Sequence, residues 1–169
     1  MSQVQKPIRF CCALLLVSSL CWAADNQVTR KSLRGLSGVN VLVEPLSAQA
    51  KQDGLNEVDI QKDVELKLRL AGIRVLTEKE SLDTPGGPYL YVLASDVLTG
   101  GIYAVSIRVG LCQSVYLERD PSSFIAGAET WSIQSVATIG RNKLAELRDS
   151  IKDDVDTFLN AYLSVNPKK

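Results

Sequence analysis

The chain contains no histidine, and that absence excludes more activities than any residue present suggests. Without imidazole there is no Ser-His-Asp or Cys-His nucleophile pair, and the familiar hydrolase chemistries fall away. The charge balance is equally bare, with 19 basic against 19 acidic residues. No basic surplus exists to neutralise a phosphate backbone, so nucleic-acid binding is disfavoured. Long apolar runs are missing too. The longest, residues 10–20, falls well short of the ~20 residues that a membrane-spanning helix needs.

That short run has the form of an export leader instead. Lys6 and Arg9 make a basic start, residues 10–20 an apolar middle, and Cys21-Trp22-Ala23 presents small residues at both positions that a signal peptidase reads. Cleavage is expected after Ala23, leaving a mature chain that begins near Ala24 in the periplasm or outside the cell, with no transmembrane span. Lys6 and Arg9 leave with the leader, so the mature chain is near neutral or slightly acidic. Its length suits a single domain with one core. The alternative is a lipoprotein acylated on Cys21, but bulky Leu20 precedes that cysteine where lipoprotein leaders carry a small residue.

Cysteine is scarce in the mature chain. Cys11, Cys12 and Cys21 lie in the leader, which leaves Cys112 alone, unable to form an intramolecular disulfide or to build a Cys/His zinc site. A lone thiol is expected to pack as a small hydrophobe.

What is present reads as alternating strands and helices. Residues 24–38 are polar, lack a sustained period, and are expected to form a flexible lead-in to a single domain over 39–166. Val39, Val41 and Val43 alternate with Asn40, Leu42 and Glu44 until Pro45, which is a strand pattern. Asn56 can cap a helix whose apolar side carries Val58, Ile60, Val64, Leu68 and Ala71, with Gly72 at its end. A short second strand is expected over 73–77. Residues 89–99 are apolar on both faces, as suits a central strand. Gly100-Gly101 then turns the chain into a long return limb over 102–118. Tyr103, Val105, Ile107, Val109, Leu111, Val115 and Leu117 share one parity of that limb. The small and polar residues share the other. A turn at 119–123 leads to a strand over 124–140, whose parity slips between Ile133 and Val136 and implies a bulge. From Asn142 the spacing of Leu144, Leu147, Ile151, Val155, Phe158, Leu159 and Tyr162 is helical.

The expected fold is therefore α+β: a two-layer sandwich in the order β-α-β-β-β-β-α. A mostly antiparallel sheet of about five strands carries two helices on one face. The opposite face is expected to be uncovered. Its candidate partner-binding residues are Ser106, Arg108, Cys112, Ser114 and Tyr116, with Ala104 and Gly110 between them. Such a face carries little charge to protect it against association.

Other constellations are weaker. Asp149, Asp153 and Asp156 line one stripe of the last helix, but a hard cation needs ligands converging from several segments. Ser150 and Lys152 face different directions and make no Ser-Lys pair. The glycine pairs Gly86-Gly87 and Gly100-Gly101 lack the lysine and helix start of a phosphate loop. Tyr89, Tyr91, Tyr103, Tyr116 and Trp131 suggest a platform for a carbohydrate or a base, resting chiefly on Tyr116 with its open-face parity, but core packing accounts for most of them. No catalytic residue, metal or cofactor is expected.

The layout behind a leader, with Asp63-Val64-Glu65 and Leu70-Ala71-Gly72-Ile73 entering a short strand, resembles small bacterial envelope proteins. It is similar in topology to the α+β modules of outer-membrane assembly lipoproteins and to the amino-terminal domain of TolB. That resemblance implies contacts with protein or lipopolysaccharide rather than catalysis. The expected role is association with an envelope partner or with itself; the alternative is carriage of a lipid or other apolar ligand between sheet and helices.

Overall fold

A computed structural model describes residues 25–167, so the expected leader, its cleavage site and Cys21 lie outside the described residues. The fold is α+β, one mixed four-stranded sheet with helices packed on one side. The elements are α1 (Gln27–Arg30), β1 (Asn40–Val43), α2 (Ala48–Gln52), α3 (Glu57–Leu70), α4 (Glu78–Leu82), β2 (Tyr89–Thr99), β3 (Ile102–Leu117), β4 (Asp120–Gly140) and α5 (Leu147–Val165). The strands lie in sequence order, with β1 parallel to β2 and the other pairs antiparallel.

The sheet has four strands because residues 73–77 do not extend far enough to make one. They touch β1 through a single parallel bridge, Val39 to Val75, before Thr77 caps α4 in a reciprocal capping box with Glu80. Forming the box turns the chain away from the sheet edge after one bonded pair. Asn56 caps α3 by accepting from the Val58 amide. Ile60, Val64 and Leu68 are the buried residues of that helix, whereas Val58, assigned to the same face on spacing, is exposed.

The two-residue hairpin pairs Thr99 with Ile102 and runs in unbroken register to Tyr89 and Cys112. Tyr103, Val105, Ile107, Val109 and Leu111 are all buried, as their parity required. On β4 the expected slip between Ile133 and Val136 is absent. Trp131, Ile133, Ser135, Ala137 and Ile139 alternate regularly opposite the buried residues of β3, and Val136 points outward, 75% exposed. The irregularity sits instead where Leu111 pairs with Trp131 and Cys112 with Glu129, so that Thr130 is the extra residue. Beyond it β3 and β4 continue as a two-stranded ribbon, and β4 begins at Asp120, inside the expected turn.

Residues 24–38 were expected as a lead-in without structure, yet from Asp25 onward they fold onto the domain. The Asp25 carboxylate pairs with Arg30 and accepts from the Trp131 indole N–H at 2.9 Å. A short 3-10 helix over Lys31–Leu33 brings Leu33 to zero exposure in the core. Asn166, past the end of α5, donates to the Leu33 carbonyl and accepts from the Gly35 amide. Short polar segments without a period can be held this way, because capping and side-chain bonds do not need repetition.

The core lies between the sheet and the pair α3 and α5. Trp131, Tyr103, Phe158, Leu111 and Leu90 fill it, and Trp131 meets Phe158 edge-on with ring centroids 5.4 Å apart. Ion pairs from Arg148 to Asp63 and from Lys67 to Asp156 tie the two helices together. Asp156 of the acidic stripe thus faces α3, and Asp149 pairs with Lys152. Among the described residues no cluster of acidic or cysteine side chains is arranged to hold a metal, and no helix is long and apolar enough to cross a membrane.

One carboxyl enters this core. Asp154 is 7% exposed and accepts from the Ser135 hydroxyl at 2.6 Å. Burial pushes its pKa above the ordinary range, against the opposing pull of that bond. Since the folded state holds this proton more tightly than the unfolded one, its contribution is complete below the unfolded value near ~4 and is lost as pH rises through the folded value. Asp154→Asn keeps the serine bond and removes the buried charge. Thermal melts of the variant at pH 7 should lie above the parent by about 2 °C, and the difference should vanish near pH 3. An equal gain at both pH values would show that charge is not the cause.

Candidate association surface

The outer face of the sheet is built in rows by the strand register. Asn40, Tyr89, Cys112 and Glu129 form one row; Leu42, Tyr91, Gly110 and Ser132 the next. Leu93, Arg108 and Gln134 follow, then Ser95, Ser106 and Val136, and last Val97, Ala104 and Thr138. α3 and α5 pack on the opposite face. Leu42, Val97 and Val136 are consequently exposed at 46, 65 and 75%.

At the centre, Arg108 makes a bidentate pair with Glu129 across β3 and β4. To reach it, the Glu129 side chain lies over Gly110, where a Cβ would come within 2.7 Å of the carboxylate. Glycine at that position is thus a condition of the pair. Burial works against the Glu129 charge, but the bonds from Arg108 and Ser132 outweigh it and hold the carboxyl below its usual range. The pair is partly solvated, so its value is positional more than energetic.

Tyr89 and Tyr91 stand beside this pair. Burial raises both phenols, helped at Tyr89 by Cys112 and at Tyr91 by Glu44. The Tyr89 hydroxyl approaches Gly127, whose φ of +67° and missing side chain leave room for it; a Cβ there would lie 2.8 Å from the oxygen. The Tyr89 hydroxyl also shares a hydrogen bond with the Cys112 thiol on the neighbouring strand.

The sequence-predicted partner residues do not stay together. Ser106 and Arg108 lie on the open face, Ser106 accepting from Gln134. Ser114 sits at its β1 end, its amide bonded to the Gly86 carbonyl. Tyr116 lies out on the β3–β4 ribbon, 66% exposed, its ring 5.5 Å from that of Phe124. Cys112 packs as the small hydrophobe expected of a lone thiol, and its place on the partner face is corrected: it has the open-face parity but is buried, 7% exposed, beside its cross-strand neighbour Tyr89. Burial raises its thiol pKa despite the bond from Tyr89. Native protein should therefore react with iodoacetamide at pH 8 at least tenfold more slowly than urea-unfolded protein, as followed by mass spectrometry. Equal rates would place the thiol in solvent.

Sequence reasoning missed Tyr91, Leu42, Val136 and Glu129 as members of this face. A signal for Tyr91 was present, since counting back from Gly100-Gly101 sets it opposite Gly110. Of the five aromatics weighed as a platform, Tyr103 and Trp131 are core residues and Tyr116 stands apart.

At the β1 end the face passes into a groove of about 700 Å³. Gln61, Glu65 and Arg69 of α3 form one wall and Glu78 and Leu82 of α4 another, with Val41 and Leu42 of β1 between them.

No family model and no curated protein matches the chain. Among solved structures, the PelC dodecamer from Paraburkholderia phytofirmans is similar over 70% of this chain and 85% of that one, at 18% identity and a TM-score of 0.42. A likeness this distant has no bearing on function.

Proposed function

We propose that the protein is an exported, non-enzymatic component of the bacterial envelope that works by protein-protein association through the uncovered sheet face. The observation that carries this reading is the exposure of Leu42, Val97 and Val136 on a face that no helix covers among the described residues. Apolar side chains presented in this way gain by being covered, at roughly 25 cal/mol for each Å² removed from water. The leader pattern of residues 1–23 supports export, and the missing histidine supports a role without catalysis. The alternative of an apolar ligand held between sheet and helices draws no support from that space, which Trp131, Tyr103 and Phe158 fill.

The test is site-specific photocrosslinking from position 136 in the native cell, with fractionation of the same culture. A single envelope partner, lost on Val136→Glu, is the expected result, with mature chains starting near Ala24. Intact leader on cytosolic protein, or no adduct above background, would overturn the reading.

A further inference from the structure

We propose that the outer edge of β1 takes up an extended peptide segment of a partner protein as a fifth strand. This rests on the association reading above and names the chemistry that the partner must present, an unpaired run of backbone N–H and C=O groups.

The argument starts from the ladder. Asn40 donates to the Pro88 carbonyl and Glu44 to that of Val92, so the even residues of β1 turn their backbone groups toward β2. Alternation turns those of Val39, Val41 and Val43 the other way. On that side Val39 is satisfied, donating to the Arg74 carbonyl and accepting from the Leu76 amide. There the pairing stops, because Thr77 leaves to cap α4. Val41 and Val43 have no bonded neighbour on this edge among the described residues.

Proteins ordinarily blunt a free edge with lysine, proline or a bulge. Asn40-Val41-Leu42-Val43 carries none of these, and Pro45 lies beyond the strand. Along Asn40, Val41 and Leu42 the edge instead opens into the groove lined by α3 and α4. Those walls also select the occupant. The groove volume of about 700 Å³ suits a single extended segment, whereas a second copy would bring its own α3 and α4 walls, with Glu78 on each, against these and hold the two edges apart. Main-chain pairing supplies affinity in such a mode, and the groove selects alternate side chains.

The experiment tethers a probe strand so that pairing does not depend on guessing the partner's sequence. Leu82 is 76% exposed at the groove rim. The Leu82→Cys chain is joined by disulfide to the peptide Cys-Gly-Gly-Thr-Val-Thr-Val-Thr-Val, and amide exchange is read by NMR before and after reduction. The expected result is at least tenfold slower exchange at Val41 and Val43, with Leu42 and Glu44 unchanged. Unaltered exchange at Val41 and Val43 would overturn the proposal, as would a Val43→Pro dependent dimer of the untethered chain in sedimentation, which makes a second copy the occupant. Val43→Pro removes the outward donor, and Val43→Ala controls for the packing of this side chain on the core; in the cell Val43→Pro should abolish the crosslinked partner and Val43→Ala should retain it. A partner retained by Val43→Pro but lost with Val136→Glu would sink the edge and leave association through the face standing.

Discussion

Replacing Phe158 with alanine should lower the free energy of unfolding by about 3–5 kcal/mol, the cost typical of deleting a large aromatic from a packed core. Phe158 has zero exposure, meets Trp131 edge-on, and lies 6.4 Å from the ring of Tyr162 on its own helix. The ring therefore joins α5 to the sheet at the point where β4 leaves its regular register. Removing it leaves a void lined by side chains held on two different elements, which relax only in part. A domain of this size is commonly stable by about 5–15 kcal/mol, so the loss is a large share of the whole. Urea titration followed by fluorescence measures it cleanly, because Trp131 is the sole tryptophan once residues 1–23 are removed. The midpoint should fall with the slope unchanged. A loss under 1 kcal/mol would mean that the helix is not docked as described.

Leu33→Ala should cost about 2–4 kcal/mol, although the residue lies in a segment whose sequence has no periodic pattern. Leu33 is wholly buried, and its carbonyl is bound by Asn166 from the far end of the chain. The lead-in thus closes over the end of α5, with Asp25 held by Trp131 as a second fixing point. Hydrogen exchange should quicken over residues 27–36 more than over β2 and β3. If stability and exchange both stay as in the parent, the segment contributes nothing to the fold.

The candidate surface was legible in part. Alternation along β3 was enough to separate Tyr103, Val105, Ile107, Val109 and Leu111 from Ser106 and Arg108, because a sheet with one covered face sorts its residues by twos. The same rule failed for Cys112. Parity names the face a side chain points to, whereas burial depends on the neighbour standing over it, here Tyr89 of another strand. It failed also at Val136, whose apolar character suggested a slipped register when the residue simply faces outward. An exposed valine breaks the pattern that sequence reading relies on.

Sequence alone determined the α+β class, the hairpin at Gly100-Gly101, the inward stripe of α5, and the lack of any imidazole chemistry. Each of these depends on local spacing or on residue type, which the chain carries without help. Tertiary structure alone decided that residues 73–77 stop after one bridge, that Leu33 completes the core, that Glu129 crosses Gly110 to Arg108, and that no described residue pairs with the edge of β1 beyond Val39. These are contacts between segments distant in the chain, and whether they form depends on the relative free energies of packing those segments together, which no local period records.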